Sequence, residues 1–214
     1  MPAEQRPSDD RPRPFRPRNP LVIGLLGGVA AGKSAVAGFF ARRGICHVDA
    51  DALARDAAKD PAVLAAVAAA FGPGAVRDGA MDRQAIGRAV FADPQQRHRL
   101  EAILHPPVLA RIDALLAAAK ARGDSVLLDA PLLLETGLDA RCDVLVFVAA
   151  SADVRAARAA TRGWPAHELD RREAAQTPLA TKQARADYTV HNDGSLAATE
   201  QQVASLLDTL AARH

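Results

Sequence analysis

The first unbroken apolar run in the chain is Leu21-Val22-Ile23-Gly24-Leu25-Leu26, closed by Gly27-Gly28. A short run with no polar interruption predicts a strand buried on both faces. From Lys33 to Arg43 the period lengthens: Val36, Phe39 and Phe40 fall on one side and Gly44 supplies a stop, which predicts a helix. Ile45-Cys46-His47-Val48 predicts a second strand, ending at Asp49-Ala50-Asp51. Residues 52–121 read as nearly all helical, interrupted at Pro61, at Gly72-Pro73-Gly74, at Asp93-Pro94 and at His105-Pro106-Pro107. Two further buried strands are expected, Val126-Leu127-Leu128-Asp129 and Val144-Leu145-Val146-Phe147-Val148. A charged helical stretch from Ala152 to Ala175 and a brief strand at Tyr188-Thr189-Val190 follow. Ser195 opens a closing helix whose Leu196, Val203, Leu206, Leu207 and Leu210 share one face.

Short strands alternating with helices imply right-handed crossovers, hence an α/β fold: three layers around a five-stranded parallel sheet. About 75 residues separate the second strand from the third, where a crossover needs only about a dozen. The surplus predicts an inserted helical lobe, about residues 55–121. Residues 1–20 hold six of the 14 prolines and almost no apolar side chains. Such a segment cannot bury enough surface to offset its ordering entropy, so a disordered Pro/Arg-rich arm is expected there, with the folded domain over 21–214.

Composition narrows the function. Aromatic residues are only 4%, with one Trp and one Tyr, which disfavours a surface that stacks nucleic-acid bases. The net charge of +2 sits in the arm, where five arginines face three acids, and leaves residues 21–214 neutral. A neutral body disfavours general polyanion binding. The two cysteines, Cys46 and Cys142, lie in apolar stretches without metal-ligand spacing, so two buried thiols in a reducing cytosol are expected. No apolar run approaches the roughly 18 residues of a membrane span, and the polar N-terminus lacks a secretory core, so a cytoplasmic location is expected.

The chemistry is concentrated in Gly27-Gly28-Val29-Ala30-Ala31-Gly32-Lys33-Ser34, which fits G-x-x-x-x-G-K-[ST] between a strand and a helix. Small residues let successive backbone N–H groups turn onto phosphate oxygens, and the helix N-terminus adds favourable partial charge. Lys33 is expected to reach the β- and γ-phosphates and Ser34 to ligate Mg²⁺. The chain is therefore expected to bind a nucleoside triphosphate through Gly28 to Ala35. Asp49 and Asp51 fall where the second strand ends, beside that loop. Asp51 could deprotonate an acceptor hydroxyl or merely cap the helix opening at Ala52. Asp129 ends another strand, as either the acid that holds Mg²⁺ through water or a solvated strand end. Arg155, Arg158 and Arg162 recur at helical spacing with few acids nearby, a stripe that is either solvated surface or a phosphate clamp. His105, before Pro106-Pro107, reads most simply as a helix terminator.

These motifs together resemble the dephospho-CoA kinase family over roughly residues 21–210. Beside the phosphate loop, Asp49-Ala50-Asp51 with Arg55 resembles a D-A-D-x-x-A-R segment, and His105-Pro106 with Val108 resembles H-P-x-V. Asp129-Ala130-Pro131-Leu132-Leu133-Leu134-Glu135 is similar to a [DE]-x-P-L-L-x-E loop. Arg158, Arg162 and Arg172 fall on the family's lid arginines, and Gln176-Thr177-Pro178-Leu179, Lys182 and Asn192-Asp193-Gly194 on its closing signature. The resemblance implies transfer of the ATP γ-phosphoryl to the ribose 3′-hydroxyl of dephospho-CoA, with Mg²⁺, by a nucleotide core carrying a CoA-binding lobe and a lid over about 152–176. It implies Asp51, Lys33 and Arg158 as catalytic, Arg162 as a further ATP contact, and Asp51, Arg55, His105 and Pro131 towards the acceptor. Ser34 and Asp129 would hold the metal. ATP and dephospho-CoA are the implied partners; no nucleic acid, membrane or obligate protein partner is indicated. Ala30 stands where the family usually has Gly. If that position needs positive φ, its Cβ costs about 1 kcal/mol.

Overall fold

A computed structural model describes residues 14–214. Strand β1 (Val22–Gly27) leads through the glycine-rich turn into α1 (Lys33–Arg42) and then β2 (Cys46–Asp49). The lobe follows as α2 (Ala50–Ala57), α3 (Pro61–Phe71), the hairpin β3 (Val76–Arg77) and β4 (Ala80–Met81), α4 (Arg83–Ala92) and the long α5 (Pro94–Arg122). Then come β5 (Val126–Asp129), β6 (Val144–Ala149), the expected lid helices α6 (Ala152–Thr161) and α7 (Ala166–Ala174), α8 (Leu179–Arg185), β7 (Tyr188–His191) and α9 (Leu196–Arg213).

The five main strands form one parallel sheet in the order β2-β5-β1-β6-β7. Both faces are covered, as the apolar runs require. Ile23, Leu25 and Val146 pack with Val36 and Phe40 of α1 and Leu207 and Leu210 of α9. Leu26, Leu128 and Phe147 face the other way, against Ile112 and Ala119 of α5. The lobe has a small core of its own around Val63, Val67, Ala75 and Ile86. Its helices start where short acids accept orphan amides, at Asp60, Asp82 and Asp93.

Several sequence expectations need correction. Helix α5 does not break at His105-Pro106-Pro107; it runs 29 residues with both prolines inside. An interior proline costs about 3 kcal/mol in lost hydrogen bonding and steric clash, so packing must compensate. It does so on both sides of the pair. Leu100, Ile103 and Leu104 pack into the lobe core, whereas Val108, Leu109, Ile112 and Leu116 pack into the core beneath the sheet. The prolines mark the changeover between two cores. By length and composition this helix could also span a membrane, contrary to the expectation that no run came close. Here its two halves lie against two protein cores.

The lobe is also not all helical. Asp78-Gly79, both at positive φ, turn the β3–β4 hairpin, a signal readable from the dipeptide itself. The stretch from 152 to 175 divides at Gly163-Trp164-Pro165 into α6 and α7. The expected arm ends differently from its composition. Residues 1–13 lie outside the described residues, but residues 14–20 touch the domain. The Phe15 N–H donates to the Arg43 carbonyl at 2.8 Å and the Phe15 ring packs against the core. Nor are both thiols buried: Cys142 is partly covered and Cys46 is exposed.

Candidate active site

Sheet register assembles the site. Asp129 pairs with Leu25 on one side and with Asp49 on the other, so the carboxyl ends of β2, β5 and β1 lie side by side. The phosphate loop leaves β1 at that edge, which is where open α/β sheets place ligands. A cleft of about 200 Å³ opens there, walled by the loop (Gly28, Ala30, Ala31, Gly32, Lys33, Ser34). Asp49, Asp51, Arg55, Asp129, Pro131 and Arg162 complete its lining.

The loop is held from behind. The Ala31 carbonyl accepts from Arg158 Nη1 at 2.9 Å and from Asn192 Nδ2 at 2.8 Å. Asn192 is almost fully buried, and its Oδ1 accepts from Thr199 Oγ1 at 3.0 Å. In a planar trans peptide the Ala31 carbonyl and the Gly32 N–H point opposite ways, so gripping that carbonyl from behind turns the Gly32 N–H away from the grip. Gly32 has φ 92°, and a Cβ there would collide with Asn192 Nδ2, so geometry and space both demand glycine. Ala30 adopts φ 59°, which realises the strain expected of an alanine at that place. Lys33 Nζ rests 3.4 Å from the Gly27 and Gly28 carbonyls, inside the curl of the loop.

Electrostatics in the cleft is crowded. Burial pushes the Lys33 ammonium below the usual lysine range, and Asp129 opposes the shift. Burial likewise pushes the Asp129 carboxyl up, against the pull of Lys33 and of His47, whose Nε2 lies 3.6 Å from Asp129 Oδ2. Asp51 is raised by burial and then by the Asp49 carboxylate, with Arg55 and Lys33 pulling the other way. An anion-accepting cation and two proton-avid carboxylates thus face one space.

The capping alternative for Asp51 is removed, because Asp49 does that work. Asp49 Oδ1 accepts the Ala52 N–H at 2.9 Å, which leaves Asp51 in the first turn of α2 with its carboxylate on the cleft. Asp51 also lines a second, largely apolar cavity of about 300 Å³. That cavity runs along α5 past Leu104, His105 and Val108, to Pro131 and Leu132. Asp51 and Pro131 therefore stand on the border of both spaces. His105, far from terminating a helix, sits mid-helix on the second cavity.

The arginine stripe is divided among different tasks. Arg162 lines the cleft, and Arg158 stands behind the loop, its Nη2 on the Asn192 carbonyl at 2.7 Å. Arg155 is buried and bonded to Glu173 of α7. Its acid lies eighteen residues on, and Arg158 bonds backbone carbonyls instead, which is why the local pattern looked unpaired. Arg172 lies over the Trp164 ring at 4.3 Å and pairs with Glu168. Val29 and Ala35 do not line the cleft. Sequence reasoning gave no role to His47 or to the Asn192 side chain, both of which prove adjacent to the loop or to Asp129. The turn signature Asn192-Asp193-Gly194 was the one available hint.

Comparison with known proteins agrees with this geometry. Residues 21–198 match the CoaE dephospho-CoA kinase family. A dephospho-CoA kinase of Deinococcus radiodurans is 42% identical over 201 residues, covering 93% of this chain and 97% of its own. One of Anaeromyxobacter dehalogenans is 48% identical over 179 residues, covering 81% and 84%. Among solved structures, a Thermus thermophilus protein superposes with a TM-score of 0.78 at 35% identity, covering 90% of this chain and 98% of its own. A dephospho-CoA kinase from Campylobacter jejuni, at 17% identity and TM-score 0.62, shares the fold over 88% of this chain and 96% of its own. With the phosphate loop, the paired carboxylates and the inserted lobe in their places, the chain belongs to the dephospho-CoA kinase family.

Proposed function

We propose that the cleft transfers the γ-phosphoryl group of ATP to the ribose 3′-hydroxyl of dephospho-CoA, with Asp51 as the proton acceptor. Family membership makes the chain an ATP-dependent kinase, acting at the last step of coenzyme A biosynthesis. The observation that carries the assignment of roles is the position of Asp51 on the border of two cavities, one polar and one apolar. A phosphate donor entering from the loop side and an acceptor entering along α5 would meet at its carboxylate.

In this reading the backbone amides of the loop, Lys33 and Arg162 hold the triphosphate. Arg55, His105 and Pro131 face the acceptor. Asp51, more basic than an ordinary carboxylate because of burial and Asp49, takes the hydroxyl proton as the oxygen bonds to phosphorus. The bond to the ADP oxygen breaks, and ADP and CoA leave. Arg158 contributes by fixing the Ala31 carbonyl, and through it the shape of the loop. The Ser34 hydroxyl and the Asp129 carboxylate suit Mg²⁺, which keeps water and phosphate oxygens as most of its ligands and needs few from the protein. Such an ion would offset charge on the phosphates while bound. Among the described residues no three His, Cys, Asp or Glu form a cage, so the donor set fits an ion that arrives with the nucleotide. Free thiols at Cys46 and Cys142 suit a cytoplasmic setting.

The test mixes the protein with ATP, Mg²⁺ and a panel of acceptors: dephospho-CoA, AMP, CMP and shikimate. Mass spectrometry should find dephospho-CoA one phosphate heavier, and only when Mg²⁺ is present. Faster phosphorylation of any other acceptor would sink the reading.

A further inference from the structure

Behind the cleft, close enough to help depress the Lys33 ammonium, the molecule buries a second lysine. Lys182 on α8 is 1% exposed, and a long cation is almost never fully buried unless it is paired. Its Nζ donates to Gln176 Oε1 at 2.8 Å and stands 3.7 Å from Glu135 Oε1. The same Glu135 oxygen accepts the Thr177 backbone N–H at 2.6 Å. Burial pushes the Lys182 ammonium down, opposed by Glu135. Burial pushes the Glu135 carboxyl up, but the Thr177 backbone and hydroxyl, its own backbone N–H and the nearby Lys182 together outweigh that and hold it below the usual range. The loop carrying Glu135 therefore meets, some forty residues on in sequence, the Gln176–Thr177 connection and the buried Lys182 of α8. Neither Lys182 nor Glu135 lines the cleft or the apolar cavity.

The three segments have distinct mechanical roles. Glu135 follows Pro131 by four residues, and the turn between them is internally bonded from Leu133 N–H to the Ala130 carbonyl and from Thr136 N–H to the Leu132 carbonyl. A displacement of Pro131 or Leu132 by an occupant of the apolar cavity would thus be carried to Glu135. Gln176 and Thr177 join α7 to α8, one of the two connections between the lid helices and the core. The other connection, at α6, is pinned by Arg158 on the Ala31 and Asn192 carbonyls and by Arg155 Nε on the Ala150 carbonyl. With the α6 end held, the Gln176–Thr177 joint is the connection at which the lid helices could move, and Glu135 grips the Thr177 end of it.

We propose that Glu135 and Lys182 are positioning residues that couple the acceptor-side loop to the lid joint at Gln176–Thr177, so that filling the apolar cavity sets the lid over the phosphate cleft. The proposal rests on the reading that dephospho-CoA occupies that cavity. Lys182 holds the Glu135 carboxylate in register, and Glu135 holds the Thr177 amide. Arg162 caps the end of α6 at the turn into α7, so without either link a shift of α7 would draw its guanidinium away from the phosphoryl group in transfer, a loss felt in turnover more than in ATP binding.

Trp164 supplies the readout. It is the single tryptophan, in the turn between α6 and α7, beneath the guanidinium groups of Arg172 at 4.3 Å and Arg162 at 5.6 Å. Titrating wild-type protein with dephospho-CoA, without ATP, should change its emission saturably. Glu135→Ala should still bind dephospho-CoA by calorimetry, yet lose most of that emission change. Its kcat should fall about tenfold to a hundredfold, with the KM for ATP within about twofold. Glu135→Gln keeps an oxygen for the Thr177 amide and should restore the greater part of both. Lys182→Met should reproduce the alanine pattern; if it fails to fold, the two Glu135 variants decide alone. A wild-type emission change in folded Glu135→Ala overturns the proposal. So does a loss confined to the KM for ATP, or a Glu135→Gln variant as impaired as Glu135→Ala. Absence of CoA formation by the wild type would instead overturn the assignment of the cavities, leaving the two failures distinguishable.

Discussion

On the phosphate side of Asp51 the cleft is walled largely by backbone, the curl from Gly28 to Ser34; on the acceptor side it is walled by side chains, among them Leu104, Val108, Leu109 and Leu132. The first wall is rigid because its carbonyl at residue 31 is gripped twice and its glycine at 32 has no room for a Cβ. The second wall draws on two cores, through a helix whose halves belong to different ones. A backbone wall recognises what every triphosphate shares, and a side-chain wall can be shaped to one acceptor. Changes to the first should therefore cost turnover, and changes to the second should cost acceptor affinity.

The largest effect is expected for Lys33→Met. It removes the one charged donor inside the loop, and kcat should fall about 10³-fold. Steady-state rates beside melting curves check this, and a loss that appears only as a higher KM for dephospho-CoA would erase the distinction between the walls. Asp51→Asn comes next, at about 10²-fold in kcat, with the melting midpoint unchanged because Asp49 supplies the cap. Leu104→Ala belongs to the other wall. Losing apolar contact surface should raise the KM for dephospho-CoA several-fold to about tenfold, with kcat and the KM for ATP nearly unmoved.

A pH profile sharpens the point where the walls meet. Asp51 must be ionised to accept a proton, so kcat/KM should fall as pH drops through its raised pKa. Burial is the main cause of that raised value and the Asp49 carboxylate the next. Asp49→Asn keeps the cap and removes the charge, so the acid limb should move to lower pH. An unmoved limb would show that another group governs it. The smallest effect is expected for Ala30→Gly. Relief of the positive φ gains about 1 kcal/mol, and loss of the buried methyl costs about 0.8 kcal/mol. The melting midpoint should scarcely change.

Much of this was legible in the residues. The strands at Val22, Val126 and Val144 show as unbroken apolar runs because a doubly covered strand has no solvent face to mark. The phosphate loop is legible because its function is local: consecutive amides of one short segment bind one ligand. Less legible was everything that depends on distant partners. Arg155 looked unpaired because Glu173 is eighteen residues away, and the Asn192 grip on Ala31 spans 161 residues. The proline pair at 106–107 reads as a break by any local rule, since neither residue can donate an amide hydrogen bond.

By itself, then, the sequence determined the alternation of strands and helices, the triphosphate loop, the surplus length of the lobe and the candidate carboxylates. Each of these follows from interactions among residues close in the chain. The structure added that Asp49 takes the cap while also lining the cleft, through a local bond to Ala52, and tertiary packing decided that α5 continues through its prolines and that Asp51 borders two cavities at once. The last two outcomes depend on long-range contacts: packing into two cores outweighs the local cost of two prolines, and α2, α5 and the loop after β5 must meet before Asp51 has a cavity on each side.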